Sequence, residues 1–247
     1  MTATLAHIWR HPVKSHGREE LSQVTLKAGQ TMPWDRTWAV AHEGARIDGS
    51  EWAPCANFSR GSKAPQLMAI NCKLSESTET VTLNHPDREE LTLHPERDSA
   101  ALIDWVRPLM PEDRAQSSRV VRVEGRGMTD TPFPSISIAN TATHQAVEDQ
   151  LGQRLAPTRW RANLWLDGLG PWAEFDWLGK TLRIGEVDFA IEERITRCLA
   201  TTANPQTGER DADTLGALKT WDHQDFGVYA VVKTSGTIRR GDKAELL

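Results

Sequence analysis

LMAINCKLSESTETVTLNHPDREELTLH, residues 67–94, is the stretch that decides the fold class. Its three β-rich runs, at 67–74, 79–83 and 90–94, are separated by polar turns, and Asn84-His85-Pro86-Asp87 reads as a hairpin turn. Alternating residues along a strand point to opposite faces, so an apolar residue at every second position lines one side of a sheet. The same texture recurs at 3–9, 21–27 and 37–42 before this stretch. After it come runs at 119–123, 136–139, 162–166, 180–184, 187–193 and 227–233, then a closing hairpin through Gly236 and Gly241-Asp242. Helical patterns are few. One covers 99–106 and is ended by Pro108, one runs from a cap at Asn140 or Thr141 to Gly152, and a short one covers 212–220. The expectation is a mainly β protein, a barrel or sandwich with a few helices. Pro108–Pro111 marks the expected boundary between an N-terminal unit at 1–110 and a C-terminal unit at 111–247.

A chain of 247 residues can bury a full core without disulfides or structural metals. A net charge of -5 argues against a nucleic-acid partner, which asks for positive excess. No apolar run reaches the roughly 18–20 residues that cross a bilayer, and MTATLAHIWRHPVKS at the start lacks the apolar stretch of a secretory signal. No membrane span and a cytoplasmic location are therefore expected. The three cysteines, Cys55, Cys72 and Cys198, are far apart and form no CxxC, so neither a disulfide framework nor a zinc site is indicated. Without a four-Cys cluster, no internal iron–sulfur centre is expected. Arg outnumbers Lys 21 to 8, which fits bidentate recognition of phosphate or carboxylate but equally a biased genome. Four of the ten Trp fall at 160, 165, 172 and 177, as core or as walls of a ligand site.

Arg194–Asp211, RITRCLATTANPQTGERD, is the segment best suited to chemistry. Cys198 follows a strand between Arg194 and Arg197, and positive neighbours favour the thiolate, which is both nucleophile and metal ligand. Thr201 and Thr202 follow, then the turn dipeptides Asn204-Pro205 and Thr207-Gly208. The competing reading is an inert buried thiol inside a barrel. Lys14 and Ser15, on the loop after the first strand, suit a phosphate or a plain surface turn. Arg36, after Asp35, either points into a cleft or pairs with an acid. Arg161 and Asn163 are two residues apart in the run expected as a strand, hence on one side of it.

These segments together resemble the MOSC family: HPVKS (11–15), DRTWAV (35–40), RWRANLWL (159–166), PWAEFDWLGKTLRIGEVDF (171–189), RCLATTANPQTGERD (197–211), FGVYAVV (226–232) and GTIRRGD (236–242). The resemblance spans nearly the whole chain, in order, and is nearest to the branch that includes the mitochondrial amidoxime reducing component and its bacterial relatives. It implies an N-terminal β-rich domain packed on a C-terminal MOSC β-barrel around one cleft. It further implies that Cys198 ligates the molybdenum of a molybdopterin cofactor, as the catalytic thiolate. Lys14, Ser15, Arg36, Arg161, Asn163, Thr201, Thr202 and Tyr229 match positions that hold the phosphate or pterin, and Asn140 matches a small polar residue at a helix start. Two departures, His11 for the usual Tyr and Ala162 for the usual Pro, leave those polar residues in place.

The activity implied is reduction of small N-hydroxylated compounds (hydroxylamines, amidoximes, N-hydroxylated bases). Electrons would come from a separate ferredoxin-like or cytochrome-like protein and its reductase. The alternative is a carrier of molybdenum cofactor or persulfide sulfur without turnover. Pyridoxal phosphate is not expected, since the desulfurase module of full-length sulfurases has no counterpart in the sequence.

Overall fold

The computed structural model describes residues 3–247. The chain runs β1 (Ala3–Arg10), β2 (Glu19–Leu21), β3 (Gln23–Leu26), β4 (Trp38–His42), β5 (Asn71–Ser75), β6 (Thr80–His85), β7 (Arg88–Leu93), α1 (Ser99–Val106) and β8 (Ser117–Arg122). It continues β9 (Ile136–Asn140), α2 (Thr141–Leu151), β10 (Leu164–Asp167), β11 (Thr181–Ile184), β12 (Val187–Thr196), α3 (Thr214–Lys219), β13 (Asp225–Val232), β14 (Gly236–Arg239) and β15 (Lys243–Leu246). It is mostly β, as its alternating runs predict.

Seven strands close a barrel in the order β10-β9-β13-β12-β11-β15-β1, with β1 returning to pair with β10 and β2 appended to β1. All neighbours are antiparallel except β9 and β10. Alternation selects the inward face: Val187, Phe189 and Ile191 of β12 meet Val232, Ala230 and Val228 of β13 inside, joined by Leu5, Ile8, Leu164 and Leu182. Each Val, Leu, Ile or Phe among them, removed from water, stabilises the fold by about 1.5–3 kcal/mol. The N-terminal strand β1 is thus a stave of the barrel, lying between β15 and β10. Outside, α2 and α3 cover β9 and β10, burying Trp160, Trp165, Val147 and Leu218. Asn140 caps α2 by accepting the Ala142 N–H (3.0 Å), and Gly152 ends it at φ +65°, a conformation that favours glycine.

A second core lies beside the barrel. The meander β5-β6-β7, the β4–β8 pair and α1 enclose Trp38, Val40, Leu67, Ile70, Leu83 and Leu102. The Pro86-Asp87 turn closes the β6–β7 hairpin, with His85 opposite Arg88.

Four local expectations are corrected. The run through Gly236 and Gly241-Asp242 is not a hairpin: β14 pairs with β3, whereas β15 joins the barrel between β11 and β1. The run at 21–27 is not one strand: β2 stays on the barrel while β3 turns away to pair with β14. The first half of the run at 67–74 belongs to a 3-10 turn, Pro65–Ala69, where Pro65 removes a ladder donor. The strand expected at 162–166 begins only at Leu164, so Arg161 and Asn163 do not sit on a common strand face. Arg161 instead ends the 3-10 turn Pro157–Trp160 in the left-handed region, at φ 51°.

Candidate anion-binding cavity at the barrel mouth

The ends of the barrel strands and the loops of the second core together wall a cavity of about 230 Å³. Lys14 and Ser15 reach it from the loop after β1, Arg36 from just before β4, Arg161 and Asn163 from before β10, Cys198 and Thr201 from after β12, and Tyr229 from β13. The β12–β13 ladder slips twice close to this end, between Ile191 and Glu193 and between Arg194 and Thr196. Such bulges re-aim side chains at a sheet's rim. Ser15, Arg36 and Arg161 all hold positive φ (63°, 53° and 51°), backbone strain that the surrounding contacts impose at the cavity wall.

The walls are strongly cationic. Lys14, Arg36, Arg60, Arg159, Arg161 and Arg197 face one carboxylate, Asp130, in a protein whose net charge is negative. Most of these cations are already engaged. Lys14 donates to the Met128 carbonyl (2.7 Å) and pairs with Asp130. Arg36 pairs with Asp35 and donates to the Arg161 carbonyl (3.1 Å). Arg197 donates to the carbonyls of Trp160 (2.8 Å) and Phe226 (2.6 Å), lying against Gly227, where a Cβ would meet the Ile138 carbonyl at 2.6 Å. Arg161 differs: its Nη1 and Nη2 are buried without any hydrogen-bond partner. Burial, with Arg36 and Arg18 nearby, pushes its pKa down from the ordinary arginine value. A buried guanidinium left with free donors is an anion receptor in waiting.

Charge is managed by a buried cluster behind the wall. Asp35 accepts the His11 N–H (2.8 Å), sits 3.2 Å from His11 Nδ1 and pairs with Arg36. Burial would raise its pKa, yet Arg36 and His11 outweigh that and hold it well below the carboxylate range. Burial, helped by Arg161 and Arg36, pushes His11 down to about 3, so the imidazole is neutral at pH 7. Asp130 is 48% exposed on its side chain yet ringed by cations. Desolvation is outweighed by Lys14, Arg36 and Arg161, which hold its pKa low. Burial raises the Tyr229 hydroxyl, which therefore keeps its proton.

Of the residues singled out from sequence, Lys14, Ser15, Arg36, Arg161, Asn163, Cys198, Thr201 and Tyr229 share the cavity wall. Asn163 is saturated, accepting from Ser137 Oγ (2.8 Å) and donating to the Trp9 carbonyl (3.1 Å), so it braces the wall. Asn140 and Thr202 do not line it. Asn140 spends its side chain on the helix cap, on the Gly170 carbonyl (2.7 Å) and on Glu174 (2.9 Å). The Thr202 hydroxyl donates to the Leu199 carbonyl (2.8 Å) and accepts from Arg210 (2.5 Å). Arg194 also points elsewhere, 4.2 Å over the Phe175 ring. Among the four clustered Trp, Trp160 alone reaches the cavity, stacked on Phe226 at 3.8 Å. Sequence reasoning missed Arg60, Asp130, Arg159 and Met68 on the wall. Asp130 and Arg60 sit in polar loops with no periodic signal.

Comparison with known proteins bears on the whole chain. The model of the MOSC domain matches residues 129–245, and that of the MOSC N-terminal beta barrel domain matches residues 2–117. Mouse mitochondrial amidoxime-reducing component 1 is 24% identical over 294 residues, covering 99% of this chain and 82% of its own. The molybdenum cofactor sulfurase of Caenorhabditis briggsae is 32% identical over 123 residues, 45% of this chain and 16% of that protein. The crystal structure of the YuaD protein from Bacillus subtilis shares the fold, with a TM-score of 0.52 at 14% identity, over 100% of this chain and 96% of that one.

Proposed function

Since the chain belongs to the MOSC family and carries that family's N-terminal β-barrel domain, we propose that it is a molybdenum-cofactor oxidoreductase that reduces N-hydroxylated compounds. The observation that carries the proposal is one cavity holding both an accessible thiol, Cys198, and a buried guanidinium without a partner, Arg161. An anionic pterin with a soft-ligand metal asks for that pair of groups.

The residues present fit the group. Cys198 is exposed at the start of the 3-10 turn Leu199–Thr202, and its sulfur is free to ligate a soft metal once deprotonated. Arg161 offers the two donors of its fork to a phosphate, with Lys14, Ser15 and Arg36 beside it. When bound, the molybdenum cofactor would supply two-electron reduction of the substrate, N–OH taking up two electrons and two protons to become N–H and water. The chain's own share is electrostatic and positional. Tyr229 holds a proton at its hydroxyl on the cavity wall, and Trp160, locked by a bond to His144 Nδ1 (3.0 Å), gives the cavity a flat apolar side. The walls come from both units proposed from sequence, 1–110 and 111–247. Electrons would come from a separate redox protein; Cys55 and Cys198 line the cavity and Cys72 is buried in the second core, so the three thiols do not converge on one centre.

The test is reduction of benzamidoxime to benzamidine by protein purified from a cofactor-making host, with dithionite-reduced viologen as donor. Turnover that requires Cys198 supports the proposal. Bound cofactor with no turnover of any N-hydroxylated compound would leave the carrier reading in its place.

A further inference from the structure

We propose that Arg60 receives an oxyanionic group of the substrate, so that this cavity prefers N-hydroxylated compounds carrying a carboxylate or a phosphate-like group. The inference rests on the function proposed above and assigns its substrate class.

Six cations line the cavity, and what each one touches separates them. Arg159 donates to the Thr201 carbonyl (3.1 Å) and pairs with Asp211, and Arg197 holds two carbonyls. Arg18, just behind the wall, holds three, on Met68, Ile70 and Pro205. These are struts: backbone oxygens, joined for Arg159 by the Asp211 carboxylate, take the terminal nitrogens of their forks. Arg60 is not built that way. Its side chain makes a single hydrogen bond, Nη1 to Cys55 Sγ at 3.2 Å, and it forms no ion pair among the described residues. A thiol is a weak acceptor, so most of a five-donor fork is left unspent.

The backbone around Arg60 is nevertheless held. Its carbonyl accepts the N–H groups of Lys63 and Ala64 (both 2.9 Å), and Ser59 donates to the Val40 carbonyl (2.9 Å). At the next residue, Gly61, a Cβ would stand 2.6 Å from Met68 Sδ and 3.5 Å from the Ala200 Cβ, so this loop packs closely on Met68 and lies in van der Waals range of the turn that follows Cys198. The result is a half-buried, positioned and unpaired guanidinium on the wall contributed by the N-terminal unit. Arg161, with two buried and unpartnered donors, is a second receptor on the barrel side, left for the cofactor's own anion. Two receptors on opposite units call for two anions. The reacting N–OH must approach Cys198, and Arg60 lines the same cavity with donors to spare for an anionic group elsewhere on such a molecule.

Calorimetric titration with benzamidoxime, 4-carboxybenzamidoxime and 4-phosphonobenzamidoxime tests this. A charge-assisted fork of this kind favours the anionic ligands by about tenfold or more. In Arg60→Gln the ratio of anionic to neutral affinity is expected to fall towards one, and in Arg60→Lys, which keeps the charge without the fork, to an intermediate value. Whichever of the carboxylate and phosphonate arms gains more names the group. Equal affinities in the wild type, or a ratio that survives Arg60→Gln, overturns the assignment. So does loss of molybdenum and pterin from Arg60→Gln, since Arg60 would then hold the cofactor. Discrimination without any reduction refutes the oxidoreductase reading and leaves the Arg60 assignment standing.

Discussion

Replacing Arg161 by Gln is expected to stabilise the cofactor-free protein while weakening its hold on the cofactor. Arg161 Nη1 and Nη2 are buried with no acceptor, and the guanidinium stands close to Arg36 and Arg18. An unsatisfied buried polar group costs about 1–3 kcal/mol, and more when charged. The left-handed backbone, φ 51°, is common to both proteins, so its strain cancels in the comparison. Loss of the arginine stem's contacts opposes the gain. The expected net is about 1–2 kcal/mol, and at about 2–4 °C per kcal/mol for a chain of this size the melting temperature rises by several degrees. The assay is thermal unfolding of both proteins from a host that cannot make the cofactor. It is paired with molybdenum and pterin content from a host that can. Higher melting temperature with lower content is the expected result. A lower melting temperature in Arg161→Gln would refute the reasoning, because it would make Arg161 another structural strut.

Asp35→Asn leaves Arg36 buried without its counter-ion, and loss of one partner of a buried pair costs about 3–5 kcal/mol. Because the Asp35 pKa is lowered in the fold, its contribution is present above the ordinary carboxylate range and lost as pH falls through the lowered value. Urea midpoints of wild type and variant should therefore converge on acidification; no gap at neutral pH would contradict this. Glu174 is fully buried, with Oε1 unpartnered, and burial raises its pKa. Its stability is present below the ordinary range and lost as pH rises through the raised value, so Glu174→Gln should gain on wild type towards alkaline pH. Parallel stability curves would sink that account. Reduced viologen, but not NADH alone, should drive turnover, and activity with a docked redox protein should fall with salt, as exposed charges are screened beyond about 10 Å at 0.1 M. NADH-driven turnover by the chain alone would count against it.

The strands were legible because burial on one face leaves a period of two, as in β12, where Val187, Phe189 and Ile191 face inward. Barrel closure was not, because pairings such as β1 with β10 and β3 with β14 join residues far apart in the chain, and no local pattern encodes them. Asn140 shows a sound local signal whose tertiary use is hidden: its capping chemistry is real, and the cap together with the Gly170 carbonyl and Glu174 engages the side chain away from the cavity wall. The RWRAN run places Arg161 and Asn163 as strand neighbours, yet they reach the cavity through a left-handed turn that only the fold imposes. Arg60 and Cys55 lie in WAPCANFSR, which reads as plain loop. Their place at the cavity depends on how tightly Gly61 lies on Met68 and Ala200, a tertiary contact.

Molybdenum and pterin content of purified protein, measured for wild type, Cys198→Ser and Cys72→Ser from one cofactor-making host, tests the central claim most directly. Cys198 faces the cavity, whereas Cys72 is enclosed in the second core, where burial raises its thiol pKa. The account predicts molybdenum and pterin in equal amounts in wild type and Cys72→Ser, with molybdenum lost from Cys198→Ser. Wild-type protein that is correctly folded yet carries neither metal nor pterin would contradict it.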